Sequence, residues 1–477
     1  MKLLHSAKSN SFFGQSLFIF LIRFFPVLAS VLVTIYYARN LDVAVNGRYV
    51  NFWIQLPLLT AIACAGIHAF LITYTPPVIV ALFRKIRREH FLLYAVWVVA
   101  AGFMFAAMQH YSGIAGFIVS FLFLIVYALA TITESFLIAC KNFRNVAVIN
   151  LVYAFLFSYL HWYTLHKGLS FPQLFACLLT ISAARLFLYM GIALKNINTI
   201  PLTGEENISL DASRSLWQHM MFYDISQLTF KWIDKVLISL VLTASLSAIY
   251  FNGSNDIPFL PLILSAAGSA ALLNLAMNQD DDKYTVQLMQ HSARILSAIV
   301  FPVFFFLLFF RYELFAVIFT HKYDDSVPVF FTALFVVPLR AYNFTSVLQN
   351  RHKGRIINIG ALADLILACA LMYPFYLLWG LAGVALAFTF TTYLQAAYYL
   401  YQTSKVLKVP VLQLIPYRNW LFKLIVFFLF YIVIHYVLVQ YFSAKNVLIL
   451  GCVLTAIVAF VTLRFELDKH STNGGTS

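Results

Sequence analysis

Residues 11–38 read SFFGQSLFIFLIRFFPVLASVLVTIYYA, and Arg23 is the one charged side chain in this run of 28 residues. Because a bilayer's hydrocarbon is crossed by a helix of about 20 apolar residues, the run predicts a membrane-spanning helix. Arg23 lies near its centre, where a charge costs roughly 3 kcal/mol on insertion scales. A charge in that position indicates a surface that faces the protein interior or water rather than lipid.

The rest of the chain has the same character as this first run. Of its 477 residues, 62% are hydrophobic and 10% are charged, whereas soluble domains carry about 25% charged residues. In hydrocarbon the backbone must bond to itself, which leaves helices or a closed barrel. The apolar runs are continuous over about 20 residues rather than alternating over about 10. We therefore predict an all-α, polytopic membrane protein.

Fourteen membrane-spanning helices are predicted. Their approximate bounds are residues 11–38, 47–73, 91–109, 114–140, 146–165, 170–194, 220–243, 256–278, 291–316, 326–350, 356–378, 380–402, 420–440 and 446–464. The longest polar stretch separates six spans from eight. The predicted organisation is a lobe of six helices (1–194), a cytoplasmic linker (195–219), a second lobe of six helices (220–404), and two additional C-terminal helices with a short tail (405–477).

The net charge of +14 is explained by membrane topology and does not indicate a nucleic-acid partner. With the N-terminus in the cytoplasm, 21 Lys and Arg residues fall on the inner side, 6 on the outer side, and the remaining 5 of the 32 within spans. This excess follows the positive-inside rule. We predict that both termini are cytoplasmic. All five cysteines fall within predicted spans, so no disulfide framework is expected.

A weak internal repeat relates the two lobes. Leu41-x7-Tyr49-x-Asn51-x5-Pro57 and Leu242-x7-Tyr250-x-Asn252-x5-Pro258 share four identities at one offset of 201 residues. Both copies lie between the first and second span of their lobe. Four matches can arise by chance, but parallel repeats are common in transporters, where the substrate binds between the repeats.

The seventh predicted span carries a polar stripe. Asp224, Gln227, Lys231, Asp234 and Lys235 fall on one face of a helix with 3.6 residues per turn. One interpretation is a helix that lines an aqueous cavity. The other is an internal set of ion pairs, in which Asp234 neutralises a lysine. Even with Asp234 paired, the local sum over Lys231, Asp234 and Lys235 stays positive.

Three further arginines are candidates for the same cavity. Arg23 precedes Pro26, which should kink the first span because proline removes a backbone donor. Arg340 lies near the middle of the tenth span. Arg185 is nearer the cytoplasmic end of its helix, from which it could also reach the interface. The alternative for Arg23 is a buried arginine bound to carbonyls that the kink frees.

Acidic side chains within spans are candidates for ion coupling. Glu134, Asp224, Asp234 and Asp364 are the four carboxylates concerned. A carboxylate in this setting can exchange a proton or bind Na⁺. The alternative is a salt bridge to one of the cations. No metal-ligand spacing, no phosphate-binding glycine-rich loop and no nucleophile elbow occurs in the sequence.

Four short motifs beside the spans carry a family resemblance. They are Arg39-Asn40-Leu41 through Asn46-Gly47-Arg48-Tyr49, Asp234-Lys235 with Ile249-Tyr250, Ile318-Phe319 and Lys322-Tyr323 with Ser326, and Gly380-Leu381-Ala382-Gly383-Val384-Ala385-Leu386-Ala387. With these motifs and this order of spans, the chain resembles polysaccharide (O-antigen) flippases of the Wzx type, in the multidrug/oligosaccharidyl-lipid/polysaccharide exporter (MOP) superfamily. It departs from the pattern at Asn46, where an aromatic is usual, and at Thr320, where a glycine often stands.

The resemblance implies two six-helix lobes around a central cavity, and flipping of a polyprenyl-pyrophosphate-linked oligosaccharide across a bacterial inner membrane by alternating access. In such families a central arginine of the first span is associated with substrate handling, and Arg23 matches that place. Lys231 and Lys235 look like cavity cations of the second lobe. We hypothesise an anion site formed by Arg23, Lys231, Lys235 and Arg340, with Arg185 as a further candidate.

The expected protein is a transporter and not an enzyme, with no cofactor beyond a coupling H⁺ or Na⁺. Its expected partners are the lipid-linked oligosaccharide, membrane lipids, and polysaccharide polymerases or glycosyltransferases. Three alternatives stay open. A multidrug cation exporter of the same fold would need an acidic cavity, a membrane-embedded polymerase or ligase would need a sizeable outside loop, and a passive scramblase would not depend on an ion gradient.

Overall fold

The computed structural model describes residues 12–109, 113–200, 210–254, 281–351 and 353–473. Within these ranges all regular structure is helical and no strand is present. The N-terminal helices are α1 Phe12–Asn40, α2 Val43–Cys64, α3 Ile67–Ile72, α4 Pro76–Lys85, α5 Arg88–Met108, α6 Ile114–Ala139, α7 Phe143–His166, α8 Phe171–Thr199, α9 Leu210–Val241 and α10 Ala244–Ser254. The eighth predicted span, 256–278, lies outside the described residues.

The C-terminal helices are α11 Asp282–Phe309, α12 Arg311–Ile318, α13 Ser326–Leu334, α14 Ser346–Asn350, α15 Gly354–Leu407, α16 Val411–Leu414, α17 Tyr417–Tyr441 and α18 Ala444–Asn473, with 3₁₀ turns at His321–Tyr323 and Val337–Ala341. In the described part of the chain, eight helices are long and apolar enough to cross a membrane: α5, α6, α7, α8, α11, α15, α17 and α18. The prediction of an all-α polytopic membrane protein is confirmed.

Helix α15 is two helices joined by a sharp turn, as the eleventh and twelfth predicted spans require. The backbone leaves helical geometry at Trp379 and at Gly380, where φ is 59° and ψ is −144°. Only glycine adopts that conformation without strain. Beyond the turn the two arms touch, since a Cβ at Gly383 would lie 2.0 Å from the carbonyl oxygen of Phe375. The 54 residues of α15 therefore supply two crossings.

The second predicted span is broken where α9 approaches it. Residues 47–73 form α2 and α3, and between them Ala65 and Gly66 both have positive φ, 46° and 69°. A Cβ at Gly66 would lie 2.5 Å from the Cα of Met221 in α9. The freed carbonyl of Ala65 accepts a hydrogen bond of 2.8 Å from Nε1 of Trp217. The break thus follows from a long-range contact that hydropathy does not report.

The tenth predicted span is also irregular. Residues 326–350 form α13, the 3₁₀ turn Val337–Ala341, an extended residue at Tyr342 and the short helix α14. Pro338 lies at the start of the 3₁₀ turn, where its missing N–H is tolerated. Arg340 therefore lies in a 3₁₀ turn rather than in the middle of an α-helix.

Helix ends support the repeat predicted at an offset of 201 residues. Helix α1 ends at Asn40 and α9 ends at Val241. Helix α2 begins at Val43 and α10 begins at Ala244. The ends of α5 and α11 are separated by the same offset. Three coinciding helix ends extend the resemblance beyond the four identities in the sequence.

The chain divides into two compact units, Met1–Ala248 and Ile249–Ser477. The core of the first unit is aromatic, with Phe52 stacked on Phe175 at a centroid distance of 4.0 Å. The core of the second unit is formed largely by α11, in which Phe301, Phe304 and Phe305 are buried. The first unit includes the seventh predicted span. The predicted division into lobes at residues 195–219 stays a prediction.

Candidate functional site

The polar stripe predicted on the seventh span lies on α9 and divides into an exposed and a buried part. Gln227 and Lys231, one turn apart, are exposed. Asp234, Lys235 and Ser239 are buried, with exposed fractions of 5%, 8% and 1%. The helix therefore presents one lysine at its surface and holds a second inside the first unit.

The buried lysine of α9 is bound to its neighbour. Nζ of Lys235 lies 3.2 Å from Oδ2 of Asp234, and it also lies 5.8 Å from the ring centroid of Trp232. An ammonium group so enclosed needs a counter-charge, since an unpaired buried charge is very costly. The pair is the internal neutralisation that the sequence left open. Lys231 is the second lysine of the stripe and is exposed.

Asp224 lies beside a histidine of the first unit. Oδ2 of Asp224 is 3.5 Å from Nε2 of His68 in α3. The same helix is held to α2 by a hydrogen bond of 3.1 Å from Nε2 of Gln55 to Oγ of Ser239. Polar contacts thus fix α9 against α2 and α3 at both ends, and the carboxylate of Asp224 has a titratable partner.

Two predicted site residues, Arg185 and Glu134, bind each other. The guanidinium of Arg185 in α8 bonds the carboxylate of Glu134 in α6, and it lies over the ring of Tyr153 at 4.8 Å. The hydroxyl of Tyr189 is 3.1 Å from Oε2 of Glu134. The salt bridge accounts for a carboxylate and an arginine within apolar spans, so this part of the site is a paired cluster.

Asp364 is the most isolated of the predicted carboxylates. It lies in the first arm of α15 and is 4% exposed. Neither of its oxygens has a hydrogen-bond partner within the described residues, although Thr391 of the second arm faces it. No group of three or more His, Cys, Asp or Glu side chains in the described residues could hold a metal ion. Asp364 is thus a buried acid with unused acceptor capacity.

The remaining two cations lie in different units. Arg23 is in α1, three residues before Pro26, in the first unit. Arg340 is half-buried in the 3₁₀ turn Val337–Ala341 of the second unit. The anion site that combines them with Lys231 and Lys235 stays a prediction.

Sequence reasoning missed a buried ionic cluster in the second unit. Nζ of Lys423 in α17 is 3.0 Å from Oε1 of Glu466 in α18, and the two side chains are 8% and 6% exposed. Nζ also donates to the carbonyl of Arg294 in α11 at 2.8 Å. Both residues stand near the ends of predicted spans, where charges are expected in loops. The signal available in the sequence was that Lys423 and Glu466 have opposite charges and lie at similar depths near the ends of two consecutive predicted spans.

Comparison with known proteins gives one family match and a match to a solved structure. The family described as "Polysaccharide biosynthesis protein" matches residues 209–328, a segment from the start of α9 into α13. Among solved structures, the lipid II flippase MurJ in an inward closed conformation matches with a TM-score of 0.63 and 12% identity, over 96% of this chain and 99% of that chain. No curated protein sequence matches the chain.

These matches confirm the fold and support the resemblance predicted from the sequence. At 12% identity the structural match shows that the chain has the fold of this flippase. The family match covers the helix that carries Lys231 and Lys235. Together the two matches give a multi-pass membrane protein of this fold, of which residues 209–328 match a polysaccharide biosynthesis family.

Proposed function

We propose that the protein flips a polyprenyl-pyrophosphate-linked oligosaccharide across a bacterial inner membrane by alternating access. The observation that carries the proposal is Lys231, an exposed lysine in a long helix of a membrane-protein fold. Exposed to lipid, that charge would cost several kcal/mol, whereas a water-filled path would solvate it. The pyrophosphate of the substrate is the anion that such a lysine would attract, and the polyprenyl tail can stay in lipid.

The structural match supports the lipid-linked character of the substrate, because the matched protein is a lipid II flippase. The family match supports its saccharide part. We propose that Arg23, Lys231, Lys235 and Arg340 contribute to binding. The partners of a flippase of this kind would be the enzymes that assemble and polymerise the oligosaccharide. Flipping a lipid makes and breaks no covalent bond, so the activity we propose is transport and not an enzymatic reaction.

The binding step is tested with purified protein in lipid nanodiscs and two probes that differ in one group, polyprenyl pyrophosphate and polyprenol. We expect the pyrophosphate to bind and the alcohol not to bind. Lys231→Gln should weaken binding about tenfold, which corresponds to about 1.4 kcal/mol. Lys167→Gln, which removes an exposed lysine just after α7, is the matched control and should bind as the wild type does.

Equal binding of the two probes, or unchanged binding by Lys231→Gln, would contradict the proposal. Binding of a lipophilic cation in preference to both would favour the multidrug exporter. Each result is separable from misfolding, because the amount of monodisperse protein and its melting temperature are recorded for every variant.

We also propose that transport is coupled to H⁺ or Na⁺, with Asp364 as the coupling carboxylate. Glu134 and Asp234 are held in salt bridges, and Asp224 has His68 beside it. Among the described residues, Asp364 is buried beside a neutral hydroxyl, that of Thr391, rather than beside a cation, which leaves it available to a proton or a small cation. Substrate movement in vesicles should slow when both ion gradients are collapsed. Movement at an unchanged rate would refute coupling and leave passive flipping.

A further inference from the structure

Pro26 leaves one carbonyl of α1 without its helical donor. A proline has no N–H, so the carbonyl four residues earlier, that of Ile22, loses its hydrogen bond within the helix. Helix α7 supplies a donor in its place, because Nδ2 of Asn150 lies 3.2 Å from the carbonyl oxygen of Ile22. Asn150 is 1% exposed. The carbonyl that Pro26 leaves free is therefore satisfied by one buried side-chain amide.

The other end of the same amide reaches the cluster around Glu134. The hydroxyl of Tyr189 is 2.6 Å from Oδ1 of Asn150 and 3.1 Å from Oε2 of Glu134. Arg185, which pairs with Glu134, has its Nε 3.3 Å from the oxygen of Tyr189. A tyrosine has a single hydroxyl hydrogen. It can donate to Asn150 or to Glu134, but not to both at once.

We propose that Asn150 and Tyr189 are positioning residues that connect the Glu134–Arg185 ion pair to α1 at Pro26, and that they control how far the helix bends there. When Tyr189 donates to Asn150, the amide is fixed with its Nδ2 towards Ile22. When Tyr189 donates to Glu134, the amide loses that support and can turn away from α1. A change in the ion pair thereby loosens or locks the helix at Pro26.

The consequence for transport follows from the sequence of α1. Arg23 comes directly after Ile22, so the angle of α1 at this point sets the position of the cation proposed to bind substrate. This consequence rests on the proposed function. The hydrogen-bonded connection itself rests only on the contacts of α1, α6, α7 and α8, all of which lie in the first unit.

The test measures amide hydrogen exchange of the α1 segment after Arg23, by mass spectrometry on the full chain in nanodiscs. Asn150→Leu removes the donor to Ile22 and should speed exchange in this segment at least tenfold. Asn150→Asp has the same shape but lacks the N–H and should act in the same direction. Ser182→Ala removes a different buried bond between α7 and α8, the 3.4 Å contact with the hydroxyl of Tyr153, and should leave α1 unchanged.

The decisive variant is Pro26→Ala, which restores an N–H that can bond the carbonyl of Ile22. In that background Asn150→Leu should add nothing to exchange in α1, because its acceptor is already occupied. If Asn150 were only a packing residue, the substitution would have the same effect in both backgrounds, and the proposal would be overturned. The proposal would also be overturned if neither Asn150 variant altered hydrogen exchange in α1.

A second readout separates this inference from the proposed function. Transport of a polyprenyl-pyrophosphate-linked oligosaccharide is measured for the same variants, and Asn150→Leu and Tyr189→Phe should each slow it at least fivefold. If the wild type moves no such substrate, the proposed function fails. The exchange result still shows whether Asn150 controls α1 at Pro26. If transport is normal in the Asn150 and Tyr189 variants, the proposed effect of α1 at Pro26 on the position of Arg23 is refuted.

Discussion

At the scale of single residues, Thr320 departs from the pattern of the resembled family and has an unfavourable backbone conformation. Its φ of 69° and ψ of 168° lie in a region that glycine tolerates and β-branched residues avoid. Its Oγ1 is buried without a hydrogen-bond partner in the described residues. The resembled family often has a glycine at this place. The threonine therefore stores backbone strain of about 1–3 kcal/mol.

Replacing Thr320 by glycine should raise the free energy of unfolding by about 1 kcal/mol. Relief of the strain exceeds the entropy that an extra glycine adds to the unfolded chain, about 0.5–1 kcal/mol. Thr320→Ala is the control, because it removes the hydroxyl but keeps the Cβ that causes the strain. Equilibrium unfolding in lipid or mild detergent gives the comparison. A glycine variant no more stable than the alanine variant would show that the backbone is not strained.

Individual glycines that the motifs singled out are explained by close contacts. Gly47 belongs to the motif after the first span, and a Cβ there would lie 1.8 Å from the carbonyl oxygen of Ala244. The neighbouring Tyr49 is 3% exposed, with its hydroxyl 3.0 Å from Nε2 of His161. The motif thus specifies packing in the first unit.

At the scale of elements, α2 and the start of α10 meet at Gly47, and a methyl group there should separate them. Gly47→Ala is expected to lower the free energy of unfolding by about 2 kcal/mol or more, because the contact is with backbone that cannot rotate away. Gly191→Ala is the matched control, since Gly191 lies in α8 with nothing within 4 Å of the added Cβ. That variant should gain about 0.5–1 kcal/mol.

Thermal and denaturant unfolding of the two alanine variants in the same lipid measures the difference. Opposite signs for the two substitutions are the predicted result. A stabilised Gly47→Ala variant would mean that α2 and α10 are not in backbone contact in the folded protein.

Proline contacts recur between elements in both units. In α11, Pro302 frees the carbonyl of Ala298, and Oγ1 of Thr462 in α18 lies 3.0 Å from that oxygen. In α1, Asn150 serves the carbonyl freed by Pro26. At both of these freed carbonyls stands a polar side chain from a neighbouring helix, as expected where water is absent. Asn150 differs from Thr462 because its Oδ1 accepts a hydrogen bond from Tyr189, whose hydroxyl also contacts Glu134 of the ion pair.

Element bounds were predictable wherever the cause is local. The turn at Trp379 and Gly380 follows from a glycine between two apolar runs, and the long spans follow from hydropathy. The break at Gly66 was not predictable, because its cause is the approach of Met221 from another helix. The division of the α9 stripe into buried and exposed lysines has the same kind of cause. Periodicity places side chains on one face, but neighbours decide which part of that face is covered.

At the scale of the whole molecule, the fold was predictable and the site only in part. Composition and hydropathy are sums over many residues, so local errors average out, and the described fold agrees with them. The site depends on pairings between distant residues. Glu134 and Arg185 were each predicted as functional and are bound to each other, whereas Lys423 and Glu466 were not predicted at all. Charge in an apolar span signals burial, and only geometry separates a paired charge from one available to substrate.

An exposed lysine of α9 carries the functional account of the molecule. Lys235 is buried and bound to Asp234, whereas Lys231 is exposed. Neutralising Lys231 should therefore affect transport more than neutralising Arg185, which is committed to Glu134.

The most direct measurement follows the movement of a fluorescent polyprenyl-pyrophosphate-linked oligosaccharide between the leaflets of proteoliposomes, with a membrane-impermeant reagent that destroys the exposed sugar. The account predicts that wild-type protein makes the inner pool reachable within minutes, that Lys231→Gln slows this at least tenfold, and that Lys167→Gln does not. If the wild type leaves the inner pool protected as empty vesicles do, or if Lys231→Gln moves the lipid at the wild-type rate, the central claim is contradicted.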